Sequence, residues 1–358
     1  MRLVSLSMLN NDMLLAKSIY YNDCLVLKEG TIDLVRFTAS LKKLGIDYIY
    51  VEDSKSTGIV IPDAISEETR ISCKKILRQT IEDFSNKTII DLTDMTGTIN
   101  SIIDDILENP DIQISLNDIG ASDEYTFSHS VSTTVYSLLI ANRLGYNRKM
   151  MEKLAAGALL HDMGKILLDN KIVNKQGKLD PEEYEHIKQH TTLGYEALKK
   201  CVSLTELSRI ISLYHHETMD GTGYPTQAMA GELHEFTRIV AVADVYDALV
   251  SDRCYRKKWS SNTAVNYLIE HAGTQFDTKL VSVLIKQIAI YPNGSMVRLS
   301  NNTIGIVKEQ NINFPLRPII RVIKDNEGND IEMYEIDLMK ILSITIIESE
   351  IEMNCDWL

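Results

Sequence analysis

The 358-residue chain is long enough for two or three domains, each with a core of its own. Its 44% hydrophobic and 24% charged residues are those of an ordinary globular protein, which excludes a disordered or fibrous chain. A formal net charge of −13 argues against a nucleic-acid polymer as partner, which would want a basic face. It leaves room for a small anionic substrate held by metals and a few local cations.

No charged-then-apolar leader opens the chain, and no apolar run is long enough to span a bilayer. Cys24, Cys73, Cys201, Cys254 and Cys355 are scattered and form no C-x-x-C pair, which argues against a disulfide framework or a thiolate zinc site. A cytoplasmic protein without membrane contact is expected.

Residues 1–65 read as a small α+β module. Leu25–Leu27 runs into a turn at Lys28-Glu29-Gly30, Thr31–Leu44 has helical spacing with Gly45 as C-cap, and Tyr48–Val51 reads as a strand. The module suits dimerisation or partner binding, with ligand sensing as the alternative. Residues 66–94 carry a connecting helix, Glu67–Phe84. Residues 95–292 are helical almost throughout, with helices expected at Thr98–Leu107, Phe127–Leu144, Arg148–Leu168, Pro181–Cys201, Leu204–His215, His234–Val250 and Ser261–Ala272. After Tyr291-Pro292-Asn293-Gly294 the pattern turns to short strands, so residues 293–358 form a small β domain and tail. The expected fold is therefore multi-domain: a central all-α domain, a small α+β module before it and a small β domain after it.

Six of the eight histidines lie between residues 129 and 216. Any one of them alone is an ordinary core or surface histidine, and His186, set among glutamates, reads as solvated. The other five keep company with two carboxylates. His161-Asp162 follows the small-residue face Ala155–Ala158, and Asp244 lies in the apolar run Val240–Ala243, an odd place for a carboxylate unless a positive charge is near. Histidine and carboxylate without thiolate suit iron, manganese or zinc. Seven groups are too many for one four-coordinate ion and suit two that share a bridge. His129, His161, Asp162 and Asp244 are assigned to one divalent ion; Asp162 as bridge, with His190, His215 and His216, to the other. Such a pair makes a phosphodiester hydrolase, in which a metal-bridging hydroxide attacks phosphorus. Lys165, one helical turn after His161, is positioned to bind a phosphate oxygen or the hydroxide, or else is a solvated helix lysine.

His129, His161-Asp162 and Asp244 together resemble the HD superfamily of metal-dependent phosphohydrolases. His215-His216-Glu217-Thr218-Met219-Asp220-Gly221-Thr222-Gly223-Tyr224-Pro225 and Ala243–Leu249, followed by Asp252–Arg256, are similar to the HD-GYP family, the likeness running from about Ser122 to Gln287. The resemblance implies an HD-type helical domain and hydrolysis of cyclic di-GMP to linear pGpG, with two iron or manganese ions. It further implies that Gly223, Tyr224 and Pro225 shape the pocket and offer a surface to a protein partner or a second copy. Arg253 and Arg256 match positions of substrate-binding cations, though either also reads as a surface ion pair. Members with a third metal carry Glu one turn before the first His; here Tyr125 stands there, with Glu124 and Asp123 off the helical face. A two-metal site is expected, with onward cleavage to GMP left open. Two rival readings remain: hydrolysis of another cyclic dinucleotide such as cyclic GMP–AMP, and a non-catalytic binding or scaffold protein.

Overall fold

The computed structural model describes residues 1–21, 24–87, 92–110, 112–113, 125–175, 177–251 and 259–349, leaving aside the side chains of 85–87, 93 and 125. Near the N-terminus, β1 (Arg2–Ser5), β2 (Leu14–Leu15) and β5 (Tyr48–Glu52) form an antiparallel sheet in the order β1-β5-β2, and β3 (Ile19–Tyr21) pairs with β4 (Cys24–Leu27) as a hairpin. The helix expected over Thr31–Leu44 is shorter: α1 covers Thr38–Lys43, preceded by a 3-10 turn at Leu34–Phe37. Asp33, at φ +54°, stands immediately before that turn in the left-handed region and separates it from Thr31-Ile32.

The helical part comprises α2 (Glu67–Lys87), α3 (Thr93–Glu108), α4 (Tyr125–Arg143), α5 (Arg148–Leu159), α6 (Asn170–Val173), α7 (Pro181–Lys188), α8 (His190–Leu198), α9 (Glu206–Tyr214), α10 (Glu235–Val250), α11 (Ser261–Glu270) and α12 (Thr278–Ile285). The side-chain acceptors of Asn147, Asp180, Thr205, Ser260 and Asp277 cap α5, α7, α9, α11 and α12, each taking a backbone N–H of the first turn. One hydrophobic core runs through this part. The connecting helix belongs to it, since Cys73, Leu77 and Phe84 of α2 are buried with Val135 of α4, Leu154 of α5 and Val240 of α10. At the centre α4 lies against α10, with the Tyr136 and Tyr246 rings meeting edge to face at 4.9 Å.

Two helices expected to be continuous are broken, and both breaks matter. The helix expected over Arg148–Leu168 ends at Leu159 and resumes as a 3-10 turn, Met163–Leu167; that over Pro181–Cys201 is divided at Gln189 into α7 and α8. A Cβ at Gly164 would lie 1.9 Å from the His190 carbonyl oxygen, and one at Gly194 would lie 3.0 Å from the Gly164 nitrogen. Only glycine lets the 3-10 turn pass directly against the start of α8.

The chain closes with β6 (Met296–Leu299), β7 (Ile304–Glu309), β8 (Ile319–Lys324), β9 (Asp330–Asp337) and β10 (Ile346–Ser349), an antiparallel sheet in the order β10-β6-β7-β8-β9. It packs on the N-terminal module. Leu3 N–H donates to the Gly294 carbonyl at 3.0 Å, Arg321 donates to the Thr57 carbonyl at 2.6 Å, and Ile59 is buried among Met296, Ile304, Ile306 and Ile323. Burying Ile59 there contributes about 1.5–3 kcal/mol. Gly294, at φ +80°, makes the turn into this sheet, and a Cβ on it would meet Arg2 Cα at 3.1 Å.

Candidate metal centre

The histidines gather at helix ends, and the helix ends explain their orientation. The last turn of a helix leaves carbonyls without intrahelical partners. His161 follows the end of α5 and donates Nδ1–H to the Ala158 carbonyl at 2.7 Å. His190, at the break after α7, donates in the same way to Ile187 at 2.7 Å. His215, just beyond α9, faces the carbonyls of Ile211 and Ser212, both at 3.0 Å. Each ring thus bonds a helix-end carbonyl three residues back, and each turns the lone pair of its Nε2 inward. The His161 carbonyl, freed by the break in the helix, accepts from Ser212 Oγ at 2.9 Å.

His129 is held from α10. Its Nδ1 lies 2.7 Å from Asp247 Oδ2 and its Nε2 lies 2.9 Å from Asp244 Oδ1, the two carboxylates being one turn apart on a buried helix. Asp162 sits at the junction of α5 and the 3-10 turn. Its Oδ2 faces His161 Nε2 at 3.4 Å and His129 Nε2 at 3.9 Å; its Oδ1 faces His190 Nε2 at 3.5 Å and His215 Nε2 at 3.8 Å. The donor atoms form two groups sharing Asp162: His129, His161 and Asp162, and Asp162, His190, His215 and His216. Asp244 borders both, 3.9 Å from His161 Nε2 and 4.0 Å from His216 Nδ1.

Lys165 does not stack over His161 as helical spacing suggests. On the 3-10 turn the three-residue neighbour is Asp162, and Lys165 Nζ bonds Asp162 Oδ2 at 2.5 Å. At the rim, Glu217 is buried and clips the following loop: Oε1 accepts from Thr226 N–H at 2.7 Å and Oε2 from Ala228 N–H at 3.1 Å. Gly223 fits where a Cβ would lie 2.5 Å from Glu217 Cα, and the Tyr224 ring stacks on His216 with centroids 4.8 Å apart and planes 29° apart. Pro225 follows through a cis peptide. Arg253 and Arg256, and the side chain of Tyr125 on which the absence of a third metal rests, lie outside the described residues.

Electrostatics select for cations. Burial drives His190 down to about 4 and His216 to about 3, and together with the neighbouring histidines drives His215 well below its usual range, so these rings are neutral ligands at pH 7. His129 goes the other way: burial opposes its charge, but the bonds to Asp244 and Asp247 outweigh this and raise it to about 9. Asp162 and Asp244 stay ionised against burial, Asp162 through Lys165 and His161, Asp244 through His129. With their Nδ1–H groups committed to carbonyls, the neutral His190 and His215 direct two Nε2 lone pairs at each other across 3.3 Å. Among the described residues, His161 Nε2 and Asp162 Oδ1 are buried without a hydrogen-bond partner. Lone pairs facing across such a gap repel unless a cation lies between them. Ligand atoms on one ion with bonds of about 2.1 Å stand about 3.0–3.4 Å apart. The donor set therefore fits divalent metal.

Residues 116–280 match the family model described as an HD domain, and residues 296–354 match one described as a KOW domain associated with HD domain. The helical part of the chain therefore carries an HD domain. It is similar to a cyclic di-GMP phosphodiesterase of Pseudomonas aeruginosa, 32% identical over 265 residues that cover 72% of this chain and 64% of that protein. A cyclic di-GMP phosphodiesterase of Borreliella burgdorferi is 31% identical over 221 residues, 59% of this chain and 57% of that protein. A 3′3′-cGAMP-specific phosphodiesterase of Vibrio cholerae is 34% identical over 175 residues, 49% of this chain and 38% of that protein. The chain spans less than two thirds of the length of each of these relatives. Within its HD domain, the residues that reading the sequence missed are Asp247, which orients His129, Gly164 and Gly194, which let His190 approach Asp162, and Glu217 and Ser212, which hold loop and backbone. Only Asp247 had a signal, a second carboxylate one turn after Asp244 on an apolar helix.

Proposed function

We propose that this chain is a metal-dependent cyclic-dinucleotide phosphodiesterase that cuts cyclic di-GMP to linear pGpG at a two-metal site. The observation that carries the reading is Asp162, whose two oxygens face two separate groups of histidine nitrogens. His129, His161, Asp162 and Asp244 would hold one ion, and Asp162, His190, His215 and His216 the other. A pair of divalent ions, iron or manganese by the hardness of the ligands, supplies water of lowered pKa and neutralises charge on the reacting phosphate.

The protein's own residues do the rest. Asp247 fixes the His129 ring so that Nε2 points inward. The three capped helix ends hold the His161, His190 and His215 rings, and the partial negative charge of those C-termini adds to the attraction for cations. Lys165, with 29% of its side chain exposed beside Asp162, is placed to donate from Nζ to a non-bridging oxygen of the scissile phosphate. Tyr224, stacked on His216, closes one side of the approach and offers a hydroxyl to substrate. Arg253 and Arg256 are proposed to bind the dinucleotide as well. The Vibrio cholerae relative favours a second reading of the substrate, a hybrid GMP–AMP cyclic dinucleotide. A cytoplasmic location accords with the chemistry and with the lack, among the described residues, of any helix long and apolar enough to cross a membrane.

The test is to load purified protein with Mn²⁺, or with Fe²⁺ without oxygen, and to follow the products from both dinucleotides. Conversion of cyclic di-GMP to pGpG is expected. Turnover of the hybrid alone would move the substrate assignment to the second reading, and metal-loaded protein inert on both would end the enzyme reading.

A further inference from the structure

The lip of the metal centre carries a cation with no part in the chemistry above. Lys188, at the end of α7, holds its ammonium 4.8 Å from the centre of the Tyr184 ring and 5.4 Å from that of Tyr224. The first contact is local, one helical turn along α7; the second joins α7 to the loop that follows His216. Two ring faces attract and orient one ammonium. Because Tyr224 stacks in turn on His216, a single ring separates Lys188 from a metal-directed imidazole. The carboxylate partner of Lys188 is Glu185, at 2.6 Å, with 69% of its side chain exposed. An ion pair that open to water is weak, so an incoming phosphate can displace it.

A cyclic dinucleotide holds two phosphodiesters in one small ring. While one is cut beside Lys165, the other stands a nucleoside away and still carries its charge. We propose that Lys188, steered by Tyr184 and Tyr224, grips this second, uncut phosphate and makes the site favour cyclic dinucleotides over diesters with one phosphate. The proposal rests on the phosphodiesterase reading and assigns a specificity residue to it. Tyr184, 47% exposed, keeps the ammonium aimed from the solvent side and has free surface for the adjoining nucleoside.

Lys188→Met keeps the length of the side chain and removes the charge; Lys188→Arg restores the charge. Metal-loaded wild type and both variants are compared on cyclic di-GMP, on cyclic GMP–AMP and on bis(p-nitrophenyl) phosphate, which has a single phosphate. Loss of one charge-assisted contact is expected to lower the ratio of kcat/KM for the dinucleotide to that for the small diester about tenfold, through KM, with recovery in Lys188→Arg. A ratio that stays within about twofold, or equal losses on both substrates, overturns the proposal. Calorimetric titration with cyclic di-GMP separates its failure from that of the function. Metal-loaded protein that binds the dinucleotide without cutting it, and binds about tenfold more weakly after Lys188→Met, keeps the phosphate grip and loses the enzyme reading. Wild type that neither binds nor cuts either dinucleotide overturns both.

Discussion

The floor and the lip of the metal centre are built on different principles. On the floor, His161, His190, His215 and Asp162 are almost wholly buried, and each of these histidines is locked by a backbone carbonyl of its own helix end. At the lip, Lys165 with 29% of its side chain exposed and Lys188 with 26% are held by rings and by single carboxylates. A metal site needs fixed lone pairs, and backbone hydrogen bonds supply them without extra side chains. A substrate site needs charges that can exchange partners, which partial exposure allows. Burial thus divides the work: the floor is suited to hold ions and the lip to choose what they act on.

The sharpest way to break this division is Asp162→Ala, which removes the one carboxylate shared by both groups of donors. Bound metal, measured by elemental analysis, is expected to be lost from both positions, and turnover to fall by roughly a thousandfold or more, the several kcal/mol that metals contribute to stabilising transition-state charge. Retention of one ion per chain would show that the two groups do not depend on a common bridge.

Gly164→Ala tests whether the floor depends on backbone approach. The added Cβ would meet the His190 carbonyl at 1.9 Å, so the 3-10 turn and α8 must separate. A loss of about 2–3 kcal/mol in urea unfolding is expected together with weaker metal binding, whereas Gly231→Ala, at a position where a Cβ meets nothing and φ is not positive, is expected to cost less and to spare the metal. Equal metal affinity in the Gly164 variant and wild type would mean that the floor tolerates movement.

Asp247→Asn sharpens the comparison inside the floor, since His129 alone there is oriented by a carboxylate rather than by a carbonyl. Metal affinity is expected to weaken about 10–100-fold, as for other outer partners of ligating histidines, with the fold intact by circular dichroism. An unchanged affinity would leave Asp247 a packing residue.

The pH dependence of the metal-free protein tests the histidines together. His190 and His216 titrate lower when folded, at about 4 and about 3, than the usual value near 6.5, so unfolding takes up protons below pH 6.5 and stability falls as the solution is acidified toward pH 4. His129 titrates higher when folded, at about 9, so its contribution is present below pH 6.5 and is lost as pH rises toward 9. A stability maximum near pH 6.5 is expected from urea melts, and His129→Gln is expected to flatten its alkaline side. An alkaline side that stays as steep in His129→Gln would remove the Asp244–His129–Asp247 bridge as its cause.

Much of this was legible in residue order. The helical centre and the strands at either end follow from periodicity and turn residues, and the His/Asp set stood out because seven ligand-capable groups sit in a stretch otherwise apolar or helical. Helical spacing misled at Lys165, because it assumes an unbroken helix through His161. Sequence alone determined which donors exist, their number and their hardness, because side-chain chemistry travels with the residue. Tertiary structure decided which nitrogen of each histidine faces the site, that Lys165 pairs with Asp162, and that Lys188 reaches Tyr224 from another helix. Those outcomes depend on where helices stop and how closely glycines let backbones approach, and no local pattern in the chain encodes either distance.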